Sequence, residues 1–374
     1  EAMMEFEIIL AVAMFACAIL SLLAGYSVAL TLGGVALLFA LIGIATGTFS
    51  ASFLIAFPSR IQGSSIMQSQ TLVAVPLFVL MGVILERSQV AEDLLHIASR
   101  LLARVRGGLG YAVILVAAST GIVGATVITM TLIALPTMLR QGYDPKLATG
   151  TIAASGTLGQ IIPPSIVLIL LADAVSNAAS QASLKIGTGS GVVSVGDLFA
   201  GALIPGVLLV VFYLLYIAAT AFFRPAACPP VSVSEDTAPL TVKEVAFGLG
   251  APLLLIIAVL GAILGGVALT VLASLVFFAG FAAGLLVLRK VRQLMLALTS
   301  ATHITSMVFL ILIGASLFSL VFRGYGGDEM VAAILHQAPG GKWGALALTM
   351  LVMFILGFFL DFIEIVFVVV PLVA

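Results

Sequence analysis

The sequence predicts an all-α polytopic membrane protein with re-entrant hairpins and broken helices, and three observations predict it. Of 374 residues, 62% are hydrophobic and only 8% charged, with a mean hydropathy of +1.32, whereas soluble domains carry about 25% charged residues. The apolar runs leave room for about ten membrane-embedded segments at roughly 20 residues each. Finally, Gly156-Thr157-Leu158-Gly159-Gln160-Ile161-Ile162-Pro163-Pro164-Ser165 interrupts a run that would otherwise cross as one helix. Adjacent prolines remove two backbone donors, and the glycines loosen the preceding turn. Backbone groups released in this way are tolerated at membrane depth only against protein or a water-filled cavity, which marks an ion or substrate pathway.

Taken in order, hydropathy places spans at 6–25, 28–46 and 72–85, then a polar, amphipathic stretch over 86–106. Residues 110–118 and 122–139 flank Ser119-Thr120-Gly121. The first of these arms reaches only ~14 Å, about half of a hydrocarbon core, so it is expected to enter and turn back. The broken span follows at 146–173, then a Gly- and Ser-rich polar loop at 177–197 and a span at 197–223. Residues 224–241, carrying Pro225, Pro229, Pro230 and Pro239, read as a linker between halves. Spans at 242–264 and 267–288 lead to an amphipathic stretch with Arg289, Lys290 and Arg292, a span at 304–322, and a last apolar arm, 344–360, ending at Asp361. The chain stops inside an apolar run, so a C-terminally incomplete protein is expected. The expected organisation is N-terminal scaffold helices over 1–70, a first repeat with hairpin and broken helix over 71–173, scaffold helices over 174–303, and a second repeat over 304–374 truncated within its hairpin.

Basic residues favour the cytoplasmic side. Arg100, Arg104, Arg106, Arg140 and Lys146 put the base of the first hairpin there, and counting outward leaves the N-terminus and residues 177–197 outside and the linker inside. The second hairpin then enters from the opposite face. A weak internal repeat agrees: Val75-Pro76-Leu77-Phe78-Val79-Leu80-Met81-Gly82 resembles Met307-Val308-Phe309-Leu310-Ile311-Leu312-Ile313-Gly314, and Gly108 and Gly340 each follow 26 residues later, opening the next arm. Two units of opposite orientation are the arrangement of alternating-access transporters.

Charge and cysteine content exclude more than they specify. A net charge of -1 provides no basic field for nucleic acid. Cys17 and Cys228 are too few for a disulfide framework, and the N-terminus lacks the basic region of a cleaved signal peptide.

Within the motifs, Ser119, Thr120, Gly121, Gly124 and Thr126 concentrate hydroxyls and glycines at membrane depth. Their oxygens can replace the hydration shell of a small cation, although small residues also let helices approach closely. In the break, Ser155, Thr157 and Ser165 offer hydroxyls beside Gly156, Gly159, Gln160, Pro163 and Pro164, and a half-helix N-terminus after the break attracts an anion. A structural kink is the plainer alternative. Asp361 and Glu364 stand three residues apart between apolar runs; intramembrane carboxylates are costly and usually functional, and in a helix these two share a face. Asp173, near the end of its span, reads as interfacial, as does His303 among hydroxyls. Trp343 and Tyr325 read as interface anchors, and Gly326-Gly327-Asp328-Glu329 as a helix start after a glycine turn. No GxxxxGK[ST], HExxH or GxSxG stretch is present, so the chain is not expected to be an enzyme.

The Pro-Pro stretch, with Gly142-Tyr143-Asp144-Pro145, Ala153-Ala154-Ser155, Val75-Pro76-Leu77-Phe78, Leu135-Pro136, Ala200-Gly201-Ala202-Leu203-Ile204-Pro205-Gly206 and Gly357-Phe358-Phe359-Leu360-Asp361, resembles the large (M, DctM-like) membrane subunit of tripartite ATP-independent periplasmic (TRAP) transporters over most of the chain. The resemblance implies a sodium-driven symporter of the bacterial inner membrane, working by an elevator movement with a small Q-type membrane subunit and a periplasmic binding protein. Such a protein imports a carboxylate-bearing organic acid, needs no cofactor beyond coupling sodium ions, and lives in the lipid bilayer. By similarity, the tip at 119–126 and the break at 155–165 form one sodium site, and Gly357 and Asp361 lie at the second tip. The sequence departs from the family in its first hairpin arm, with ten residues between Gly108 and Ser119 against nineteen between Gly341 and Asp361, in Phe362 where proline is common, and in Glu364. Two other readings are a binding-protein-independent divalent-anion or citrate-type transporter and an intramembrane aspartyl hydrolase using Asp173 and Asp361; the absence of a GxGD stretch argues against the second.

Overall fold

The computed structural model describes residues 2–63, 66–69, 72, 75–77, 79–80, 82–83, 90–118, 123–162, 165–186, 194–230, 241, 250, 257, 261, 291–358, 360 and 362–370. Among them every regular element is helical, and the chain is a multi-pass membrane protein. Two compact units emerge, one made of residues 1–72, 170–193 and 303–374, the other of 73–169 and 194–302.

In the first unit, α1 (Ala2–Leu23) and α2 (Val28–Thr46) pair as membrane-length apolar helices. Two short helices, α3 (Ser52–Ile55) and α4 (Phe57–Gln62), follow. The second unit opens with α5 (Val90–Leu101), α6 (Gly108–Ala117) and α7 (Val123–Arg140). At ~1.5 Å per residue the 10-residue α6 reaches only ~15 Å, half of a bilayer core. Then come α8 (Pro145–Gly156), the single turn α9 (Leu158–Ile161), α10 (Ile166–Ile186), whose residues from 170 onward belong to the first unit, and α11 (Val195–Phe223). Further on, α12 (Val291–Gly324), α13 (Gly327–His336), α14 (Gly341–Leu356) and α15 (Phe362–Glu364) lead into one π-turn stretch, Ile365–Val369.

Small residues set how closely the first unit packs. A Cβ on Gly314 of α12 would stand 2.5 Å from the Ala29 carbonyl of α2, so the two backbones cross with no side chain between them. Phe15 of α1 lies 6.4 Å from the rings of both Phe318 and Phe322. Tyr325 is fully buried, and its hydroxyl donates to the Phe39 carbonyl at 2.6 Å. That corrects the interface-anchor reading of Tyr325: an aromatic ring can use its polar tip internally. Trp343, by contrast, is exposed.

Two further expectations are corrected. The polar stretch from Asn177 is helix as far as Ile186; alanine-rich sequence continues the coil, and Ser180 and Ser183 turn their hydroxyls back onto the Ser176 and Ser180 carbonyls. The amphipathic stretch and the span expected at 304–322 are one 34-residue helix, α12, in which Thr299 and Thr302 bond back to Met295 and Leu298. The first hairpin arm does begin at Gly108, capped by Gly107 with φ 80°, as Gly340 with φ 97° caps α14. Both glycines hold a left-handed conformation that other residues adopt at a cost. Gly326 likewise precedes α13, with Asp328 and Glu329 in its first turn.

The second unit closes around α6. Its core joins Leu109, Val113, Met130, Met138, Leu147, Ile152, Leu158 and Ile217. The segment after α11 straps over the hairpin base, where Cys228 is buried, its carbonyl accepts from the Gly107 amide at 3.1 Å, and the Ala227 carbonyl accepts from the Asp144 amide at 2.9 Å. Burial pushes the Cys228 thiol pKa up, with Arg106 opposing.

Candidate ion and substrate site

The broken helix begins with a regular cap. Asp144 accepts from the Lys146 amide at 2.8 Å, and Pro145 stands in the first turn, where a missing N–H matters least. After Gly156 the helix continues only through α9, and Ile162 is extended, with φ -91° and ψ 128°, as the residue before a proline favours. Pro163 and Pro164 lie outside the described residues. Neither can supply an N–H to the carbonyls four residues earlier, those of Gly159 and Gln160. The arms Pro145–Ile161 and Ile166–Ser180 make an angle of 46°.

Ser165 bridges the interruption. Its hydroxyl donates to the Gln160 carbonyl, replacing one of the missing donors, and accepts from the Leu168 amide at 3.2 Å, so it also caps α10. Ser155 is fully buried and donates to the Thr151 carbonyl at 2.5 Å. Thr157 is exposed and donates to Ala154 at 2.7 Å. Gly159 is buried and Gln160 half-buried. Each hydroxyl that donates its proton in this way keeps lone pairs for a cation.

Two neighbouring helices hold the break. A Cβ on Gly156 would lie 2.2 Å from Cγ2 of Val127 in α7, and one on Gly206 of α11 would lie 3.2 Å from Cγ1 of Ile162. The descending arm of the first hairpin therefore meets the broken helix one residue after Thr126. Gly124 and Thr126 occupy the first turns of α7, described in backbone only, while Ser119, Thr120 and Gly121 lie outside the described residues. In the other unit, Gly357 forms an exposed turn after α14, Asp361 lies outside the described residues, and Glu364 is helical, its side chain not described.

Sequence reasoning missed one buried polar cluster. Asp173 of α10, read as interfacial, is buried within the protein, 8% exposed. Its Oδ1 accepts from the Ser69 hydroxyl at 2.7 Å and its Oδ2 from the Asn177 amide at 3.2 Å, while Ser69 also accepts from the Leu72 amide. Asn177, one turn along the helix, was the available signal; Ser69, 104 residues away, had none. His303 is exposed on α12. Among the described residues no group of three or more His, Cys, Asp or Glu stands together as a metal site. The oxygens gathered at the break are neutral hydroxyls and carbonyls, a donor type suited to hard cations.

With this geometry in place, comparison with known proteins finds one family, described as "Tripartite ATP-independent periplasmic transporter, DctM component", matching residues 12–374. The C4-dicarboxylate TRAP transporter large permease protein DctM of Pseudomonas aeruginosa is 31% identical over 78% of the chain and 65% of its own length. Its counterpart in Rhodobacter capsulatus is 29% identical over 80% of the chain and 68% of its own length. The ectoine TRAP transporter large permease protein TeaC of Halomonas elongata is 25% identical over 81% of the chain and 68% of its own length. The chain thus spans less than two thirds of the Pseudomonas relative.

Proposed function

Because the chain belongs to the DctM component family of tripartite ATP-independent periplasmic transporters, whose members are permeases rather than enzymes, we propose that it is the large membrane subunit of a sodium-coupled symporter. In this reading it imports a carboxylate-bearing organic acid across a bacterial inner membrane, with a periplasmic binding protein delivering the solute and a small membrane subunit completing the assembly. Its N-terminus faces the periplasm. The observation that carries the reading is the interruption between α9 and α10, because irregular backbone inside lipid is tolerated where it lines an ion or solute pathway.

The roles divide by chemistry. Ser155, Thr157 and Ser165, with the Gly159 carbonyl, supply neutral oxygens for sodium, and the hairpin residues Ser119, Thr120 and Thr126 complete the shell. The N-terminus of α10, capped by Ser165, offers backbone amides and a positive dipole end to a carboxylate. Gly357, Asp361 and Glu364 belong to the second hairpin, where a carboxylate can hold a further cation. Relatives named for C4-dicarboxylates support a carboxylate solute. In this reading the site alternates between the two faces by an elevator movement.

Uptake into proteoliposomes tests the proposal. With the chain, the small subunit and the binding protein present, an inward sodium gradient should drive accumulation of a dicarboxylate, and removal of either the gradient or the binding protein should abolish it. Equal uptake without sodium would overturn the coupling, and equal uptake without the binding protein would overturn the tripartite assembly.

A further inference from the structure

Outside the break, the second unit carries a groove of about 510 Å³ where the last turns of α11 meet the first turn of α8. Asp144, Lys146, Tyr216, Thr220 and Arg224 line it. The Asp144 carboxylate is turned onto the Lys146 backbone amide, and the Thr220 hydroxyl donates to the Tyr216 carbonyl. Lys146 and Arg224 are both exposed, and among the described residues neither cationic head has a carboxylate partner. Two cations against one carboxylate leave the groove net positive at the end of a membrane-spanning helix.

A second cavity, of about 240 Å³, shares Tyr216 as a wall and is otherwise apolar, lined by Ile114, Gly150, Ala154, Tyr213 and Ile217 with Thr151. Along α11 the side chains of Val207, Val211 and Leu215 are exposed between mid-helix and the groove, and Phe223, which lines the groove, is about four-fifths exposed. Such a face in a bilayer is covered by acyl chains.

We propose that the groove and cavity together seat an anionic phospholipid, with its phosphate between Lys146 and Arg224 and one acyl chain entering behind Tyr216. Basic side chains at the membrane surface attract anionic headgroups, and interfacial tyrosine tolerates both a wet and a dry side. A soluble anion would use the two cations but not the apolar cavity, and a zwitterionic lipid would gain less from the surplus positive charge. This inference does not depend on the transport reading.

The test uses the full chain, purified in detergent and delipidated, with lipid retention read by native mass spectrometry and the thermal midpoint read alongside. Phosphatidylglycerol should be retained and should raise the midpoint, whereas phosphatidylethanolamine and inorganic phosphate should do so weakly. Lys146→Gln with Arg224→Gln should weaken phosphatidylglycerol retention about thirtyfold, the product of two surface cations. Gly150→Leu should fill the cavity, because a Cβ there meets nothing within 4 Å; it should weaken retention of long-chain but not short-chain phosphatidylglycerol, with the lipid-free midpoint unchanged. Equal retention of both lipids by the wild type and both variants would overturn the proposal. So would stabilisation by inorganic phosphate equal to that by lipid, or a groove that takes no lipid and is covered by a co-purifying protein.

Discussion

A buried carboxylate persists only where something answers its oxygens, and Asp173 is answered on both by neutral donors, Ser69 and Asn177. Asp173→Ala should leave the buried Ser69 hydroxyl and the half-buried Asn177 amide without their acceptor and lower stability by about 2–3 kcal/mol. Asp173→Asn keeps one carbonyl oxygen and should lose roughly half as much. Thermal unfolding in detergent, with Ser69→Ala as the partner deletion, measures the difference; equal loss for both Asp173 variants would mean that these two bonds are not what holds the residue. Tyr143 shows a second kind of answer. Buried at the base of the hairpin between α7 and α8, its hydroxyl oxygen accepts from the Leu109 amide at 3.3 Å. Burial pushes the phenol pKa from 10.0 up to about 12, with that amide bond opposing. The folded state therefore prefers the neutral phenol; its contribution is complete below pH 10.0 and is lost as pH rises toward about 12. Across that window the wild type should lose stability faster than Tyr143→Phe, and parallel curves would contradict the assignment.

The break between α9 and α10 was legible because Pro163 and Pro164 announce it by chemistry alone. The way it is closed was not legible. Ser165 was read as a ligand from its hydroxyl, yet its cap on Leu168 and its bond to Gln160 are visible only once both half-helices exist. Helix boundaries were readable where glycine bounds an apolar run, as at Gly47 after α2 and Gly340 before α14. They failed where polar composition hid helical propensity: serine and asparagine after Asn177 suggested a loop, but local hydroxyl-to-carbonyl bonds let α10 run on. Pro163→Ala with Pro164→Ala restores two donors and favours one continuous rod. Sodium-dependent uptake should fall at least tenfold while the amount inserted in the membrane stays near wild type, a difference of about 1.4 kcal/mol or more in the transport barrier. Equal loss of uptake and insertion would instead make the break a structural kink.

Across the whole chain, the positive-inside pattern grouped Arg100, Arg104, Arg106, Arg140 and Lys146; in the second unit Gly107, next to Arg106, and Asp144, two residues before Lys146, bond to the strap at Cys228 and Ala227. What no local pattern could give is pairing at long range, such as Ser69 with Asp173 or Gly314 against Ala29. The two units also differ in how far apart in the chain their parts lie. Residues 73–169 bring most of the second unit's core together, whereas the first unit assembles from both ends. The bond from Tyr325 to Phe39 spans 286 residues. At a synthesis rate of about 5–20 residues per second, α1 and α2 therefore leave the ribosome roughly 15 to 60 seconds before the aromatic ring that fastens them has been made. During that interval the first two helices must wait in the bilayer with Gly33 and Ala29 uncovered, and biogenesis factors that shield half-finished membrane proteins have their longest task at that groove.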